Sequence, residues 1–466
     1  MRRSAVRHAA EEPAPAVVPV MDVIAGLSRA LDITEGHPQG HAARSAVIGM
    51  QCADLLKLGD ADRADLFHAL LLKDAGCSSN AARVHQLFGG SDHLAKRAVW
   101  LTDWRRWSQK VRYGLAWAGR SDGPMRRVGR VIALAAAGPR AETELFQIRC
   151  DRGAAIALDL GLSAATAEAI RAMDEHWDGG GQPHGLRGDE IPLLAQIIGI
   201  AQVLEIFWQE HGRQAALDVV RDRAGRWFSP ALVEVANAVA HDALFWRDLA
   251  TVDAVELLHR DAPAPALVEA DDTRLDRIVD AFAGVIDAKS PYTHDHSRRV
   301  AAYAVAAAGR LGAAERSLTK LRRAALLHDI GKLGVPNSVL DKPGTLSEQE
   351  WPLMRSHTQH THQILEAVPV FRDLAFDAAC HHERLDGSGY HLGLGGAALG
   401  PAARVLAVVD VTDALRSDRP YRRGLDTDAV VAELGRDVDR NKLCARSVEA
   451  MCEVLRATDA ATSHAA

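Results

Sequence analysis

The segment DGGG at residues 178–181 reappears as DGSG at residues 386–389, an offset of 208 positions. The downstream segments match at the same offset, IPLLAQIIGIAQVLEIF against LGPAARVLAVVDVTDAL. The upstream helices match too, with Arg149 opposite His357 and Ile156 opposite Ile364. Further toward the N-terminus the offset becomes 255, where GHAARSAVIG faces DHSRRVAAYA and LLLKDAGC faces ALLHDIGK. Self-similarity at a fixed offset marks a repeated structural unit. The step from 255 to 208 leaves about 47 extra residues in the first copy, between residues 75 and 148. The chain has 466 residues, enough for two domains of roughly 100–200 residues each.

Both copies read as all-α. Leu275, Ile278, Val279, Phe282, Val285 and Ile286 recur at three and four, the spacing of one helix face. Alternating strand patterns are scarce, and the abundant Ala and Leu favour helix. Ser347 to Glu350 fits a capping box and predicts a helix through His357 to about Leu365. Residues 1–20, rich in Ala, Pro and charge, read as a disordered tail. Residues 21–258 form the first copy, with its insertion at about 75–148. Residues 259–273, with their prolines and acids, read as a linker, and residues 274–458 form the second copy.

Charge and cysteine usage narrow the setting. The net charge is −6, so nothing global draws the chain to DNA or an anionic membrane. None of the six cysteines is paired at C-x-x-C spacing, which fits a reducing cytosol. The N-terminus lacks the apolar core of a signal peptide, and no run of ~18 apolar residues predicts a membrane span. A cytoplasmic location is expected.

The second copy concentrates metal-ligand residue types. His328-Asp329-Ile330-Gly331-Lys332 ends the apolar run Ala324 to Leu327, and on a continuous helix His328, Asp329 and Lys332 would share one face. His296 precedes it, His357 comes after it, and His381-His382 stand before the Gly-rich segment. Asp410 and Asp413 lie in ARVLAVVDVTDAL. Charge facing a core costs several kcal/mol unless paired or metal-bound. Imidazole and carboxylate without thiolate suit iron, manganese or a similar divalent ion better than structural zinc.

The ordered set HDIGK, a later His, HHERLDGSGY and AARVLAVVDVTDALRSDRPYR resembles the HD superfamily of phosphohydrolases, and within it the HD-GYP branch, over about residues 275–455. The resemblance implies an all-α fold holding two divalent ions, iron or manganese, on His296, His328, Asp329, His357, His381, His382 and Asp410. Asp329 would bridge the pair and act catalytically. Lys332 would contact the scissile phosphate, and Asp287 stands near the place of a third-metal ligand. Tyr390, Arg404 and Arg419 are the remaining candidate substrate contacts. The implied activity is phosphodiester hydrolysis of a cyclic dinucleotide, cyclic di-GMP foremost, by water activated between the metals. Two alternatives remain: another nucleotide or phosphate ester as substrate, or a silent nucleotide-binding receptor. His391 replaces the proline of the Gly-Tyr-Pro motif, which leaves the nucleotide open.

The first copy keeps His41 and Asp74, but Lys73 stands for His328, Cys77 for Lys332 and Arg149 for His357. Met173-Asp174 replace the His pair, and Gln202 replaces Asp410. It reads as a catalytically dead module that regulates, senses a ligand, forms a homodimer or meets a signalling protein. Its insertion carries Trp100, Trp104, Trp107 and Trp117, read as core packing or as an aromatic ligand pocket.

Overall fold

The computed structural model describes residues 18–465 apart from 91, 104–105, 121–122, 268 and 419–422. Most of the expected N-terminal tail therefore lies outside the described residues. Val18–Pro19 (β1) does not belong to a tail: it pairs antiparallel with Glu269–Ala270 (β2). Among the described residues this short ladder is the only sheet; the rest of the fold is helical.

The first copy begins with α1 (Val20–Glu35), α2 (His41–Leu56) and α3 (Asp60–Leu72). The insertion comes next as α4 (Ala81–Phe88), α5 (Asp92–Trp100), α6 (Trp107–Trp117) and the first part of α7 (Pro124–Asp159), which bends at Gly138. The copy resumes through the end of α7, α8 (Ala164–Arg171) and α9 (Leu193–His211). Four helices complete it: α10 (Arg213–Asp222), α11 (Pro230–His241), α12 (Ala243–Thr251) and α13 (Ala254–Asp261).

The second copy runs through α14 (Asp272–Asp287), α15 (His296–Arg310), α16 (Glu315–Leu327), a 3-10 segment at Ile330–Gly334 and α17 (Asn337–Leu340). It continues as α18 (Trp351–Glu366), α19 (Arg372–Ala379), α20 (Pro401–Arg416), α21 (Thr427–Asp439) and α22 (Ala445–Ala465). Helix α3 maps onto α16 at offset 255, end for end, and α8 onto α19 at offset 208. The isolated bridge Asp178–Arg187 maps onto Asp386–Gly395 at 208 as well.

The two copies share one apolar core. Helix α1 is buried on nearly every side and packs against the 3-10 segment and α18 of the second copy. Gly26 marks the closest approach: a Cβ there would lie 2.4 Å from Val368 Cγ2. A buried ion pair also crosses the junction, Lys289 Nζ to Asp92 Oδ2 at 2.8 Å.

The linker expected at 259–273 is shorter and more ordered than its composition suggests. Helix α13 extends to Asp261, Ala266 and Ala270 are buried, and Asp271 already caps α14 by accepting from the Arg274 N–H. The capping box at Ser347 is half formed. Glu350 accepts the Ser347 N–H at 2.7 Å, but the helix starts at Trp351, after a turn, with Pro352 in its first turn.

Candidate metal centre

The candidate ligands of the second copy come from five places and converge. His296 opens α15, His328 and Asp329 lie just past the end of α16, His357 lies in α18, and His381-His382 lie just past α19. Asp410 comes from mid-α20. Continuous helix was expected through His328-Asp329-Lys332, but α16 stops at Leu327 and the chain tightens into the 3-10 segment. In that geometry residues three apart eclipse, and Lys332 Nζ donates to Asp329 Oδ2 at 2.5 Å.

The two oxygens of Asp329 face different partners. Oδ2 lies 3.4 Å from His296 Nε2 and 3.3 Å from His328 Nε2. Those nitrogens are 3.5 and 3.8 Å from Asp410 Oδ1. On the other side, Asp329 Oδ1 lies 3.7 Å from His357 Nε2 and 3.6 Å from His381 Nε2. His382 Nδ1 lies 3.8 Å from Asp410 Oδ2. Two donor groups therefore share one carboxylate. Ligands at right angles around an ion with bonds of about 2.1 Å sit roughly 3 Å apart, close to these spacings.

Hydrogen bonds aim the rings. His328, His357 and His381 each donate Nδ1–H to the carbonyl three residues back, Ala325, Met354 and Ala378, at 2.6–2.7 Å. A carbonyl only accepts, so each Nδ1 carries a proton and each Nε2 faces the centre. His296 instead donates from Nδ1 to Asp413 at 2.7 Å, and Arg299 Nε holds that carboxylate at 2.6 Å. His296 Nε2, His328 Nε2 and Asp329 Oδ1 are buried without hydrogen-bond partners. Converging orphan donors of this kind fit a divalent cation.

Local charge agrees. Burial pulls the pKa of His357 down to about 4 and those of His381 and His382 well below the usual imidazole value, so these rings present free lone pairs. Burial also opposes a charge on His328, but Asp329 and Asp410 outweigh it and push it up to about 9. A metal ion held at that nitrogen would have to displace its proton.

The remaining candidates separate. Tyr390 packs against His382 with the rings tilted and their centroids 4.8 Å apart. Asp287 is not in any of the metal-competent donor groups found among the described residues. It accepts the Ser297 Oγ–H at 2.7 Å and the Ser297 N–H at 3.2 Å, capping α15. Its counterpart Asp32 does the same for α2, accepting the Ala42 N–H at 2.9 Å. Both copies therefore use this aspartate to hold a free N–H at the start of the following helix. Arg404 donates to the carbonyls of Leu399 and Gly396 and braces the loop before α20. Arg419 lies outside the described residues. His294, the neighbour of His296, is exposed.

Sequence reasoning missed Glu383. It is buried and accepts the N–H groups of Leu392, Gly393 and Leu394, fastening the Gly-rich loop. Glu175, at offset 208, accepts those of His184 and Leu186. The repeat alignment carried that signal.

In the first copy the same frame holds side-chain cations. His41 Nδ1 meets Glu205 at 2.5 Å and Arg44 Nε holds that carboxylate at 2.7 Å, repeating His296, Asp413 and Arg299. Lys73 Nζ sits 2.9 Å from His41 Nε2 and bonds Asp74. Arg149 Nε lies 3.2 Å from Asp174. An ammonium and a guanidinium thus stand beside the groups that correspond to the candidate metal ligands.

A family model described as HD domain matches residues 138–232 and 280–442, touching both copies. The chain belongs to the HD-domain family. It is 41% identical over 414 residues to 3'3'-cGAMP-specific phosphodiesterase 3 of Vibrio cholerae, covering 89% of this chain and 90% of that protein. It is 35% identical over 210 residues to a cyclic di-GMP phosphodiesterase of Pseudomonas aeruginosa, covering 42% of this chain and 50% of the other. The crystal structure of a cyclic GMP-AMP-specific phosphodiesterase of V. cholerae superimposes with a TM-score of 0.66 at 36% identity, over 95% of this chain and 98% of that one. Among the described residues no helix of this HD-domain protein is long and apolar enough to cross a membrane.

Proposed function

We propose that this HD-domain protein is a metal-dependent phosphodiesterase that opens a cyclic dinucleotide, with 3'3'-cGAMP as the preferred substrate. The observation that carries the chemistry is the division of Asp329, one oxygen toward His296 and His328, the other toward His357 and His381. A pair of divalent ions held there, iron or manganese by ligand type, would lower the pKa of water and offset charge on the phosphate.

The chain's own groups do the rest. Asp413 and Arg299 lock the His296 ring, and helix-end carbonyls lock the others. Lys332 lies at the edge of the cluster, only partly buried, and supplies a cation for a phosphate oxygen. Hydrolysis adds a water oxygen to phosphorus and breaks the bond to the 3′ oxygen. That oxygen leaves as a hydroxyl and the phosphate stays on the 5′ side. Beside Tyr390 and His391 a groove of about 400 Å³ carries Arg355 and Gln359. A guanidinium can pair with a guanine edge and a carboxamide with an adenine edge, which supports a mixed purine pair as substrate.

The sequence resemblance favours cyclic di-GMP. The choice of 3'3'-cGAMP rests on the relative bearing that name aligning across both copies, whereas the cyclic di-GMP relative aligns over less than half of the chain. Metal-loaded protein should be given 3'3'-cGAMP, cyclic di-GMP and cyclic di-AMP, with products monitored by chromatography. Turnover of 3'3'-cGAMP at least ten-fold faster than the others is expected. Faster cyclic di-GMP turnover would overturn the substrate choice, and no hydrolysis of any of them would overturn the activity.

A further inference from the structure

The insertion of the first copy walls a half-open cavity of about 590 Å³, within the range of roughly 300–1,000 Å³ typical of small-molecule sites. Val84, Leu87 and Phe88 of α4, Trp100 of α5 and Leu134 of α7 make its walls apolar. Its polar floor is formed by Glu35, Lys96 and Arg149, the last at the position that matches His357.

The polar lining dictates what can enter. Its charges are already matched: Lys96 with Glu35 at 3.0 Å, Arg149 with Asp174 at 3.2 Å and Lys110 with Glu142 at 3.2 Å. Asn80 is different. It lines the cavity, is 6% exposed, and its Oδ1 has no hydrogen-bond partner. Its Nδ2 donates to the Leu145 carbonyl at 3.2 Å, which fixes the amide and identifies the lone group as an acceptor. A carboxylate entering here would meet no unpaired cation. A neutral donor would complete Asn80.

We propose that this cavity binds a small uncharged amphiphile, an alkyl or aryl body ending in one hydroxyl or amide N–H that bonds Asn80 Oδ1. Helix α5 sets the site against the second copy. Lys96 and Trp100 line the cavity, while Asp92 at the start of α5 bonds Lys289 and the Asn337 N–H at 2.9 Å. The readout is binding, so the test is independent of turnover.

The full chain should be titrated with the neutral dye N-phenyl-1-naphthylamine, then with 1-octanol or octanoate as competitor. Saturable dye uptake is expected, with octanol displacing it at concentrations at least about ten-fold below octanoate, because burying an unpaired carboxylate is costly. Asn80→Ala should weaken octanol about five-fold, the worth of one hydrogen bond. Ala135→Trp and Leu87→Trp, both filling the cavity, should abolish dye uptake with helical circular dichroism unchanged. Octanoate competing as well as octanol, dye uptake indifferent to both filling variants in folded protein, or no saturable uptake would each overturn the proposal.

Discussion

The two copies hold the same frame around opposite centres. In each, an aspartate at the end of one helix caps the next, and an acid with an arginine locks a histidine at that helix's start. In the second copy the locked histidine points at orphan donors; in the first it points at the Lys73 ammonium. Buried anions need compensating charge. The second copy gathers donors with no side-chain cation between them, and the first sets Lys73 and Arg149 beside its acids, so one frame carries two different charge balances.

The comparison breaks most sharply at the aspartates. Asp329→Ala should cut turnover about 1,000-fold or more, an effect of roughly 4 kcal/mol, with helical circular dichroism nearly unchanged. Asp74→Ala should spare turnover but leave Lys73 buried and unpaired, a loss of about 3–5 kcal/mol in denaturant unfolding. Should Asp74→Ala instead stop catalysis without destabilising the chain, the first centre is not inert.

Smaller effects sharpen the picture. Asp413→Asn loosens the His296 ring and should weaken metal affinity about 10–100-fold, measured by competition with a chelator; Glu205→Gln should leave it unaltered. Asp287→Ala should cost about 1 kcal/mol, the worth of a helix cap, with metal content preserved. Loss of one ion in that variant would restore Asp287 as a ligand.

Much of this was legible in the sequence, for physical reasons. Helix ends repeat at 255 and 208 because the apolar periodicity of both copies survives divergence. The second copy's donors stand out because imidazoles and carboxylates rarely sit in apolar runs without a partner. Other features depend on packing between segments far apart in sequence. The end of α16 before His328 comes from the turn that brings Asp329 and Lys332 together. The residues after Pro263 look loose by composition, yet β1 and α3 pack on them. Arg404 reads from the sequence as a phosphate or a loop contact, and two loop carbonyls hold its guanidinium. Of the four insertion tryptophans, Trp104 lies outside the described residues, Trp107 is exposed and Trp100 is buried against the cavity.

The most direct test is metal content by mass spectrometry on protein purified without oxygen or chelators, for wild type, Asp329→Ala and Asp74→Ala. A pair of transition-metal ions per chain is expected in wild type and in Asp74→Ala, and none in Asp329→Ala. Ions retained in Asp329→Ala, or lost only when Asp74 is removed, would mean that the histidine and aspartate cluster of the second copy is not the metal centre.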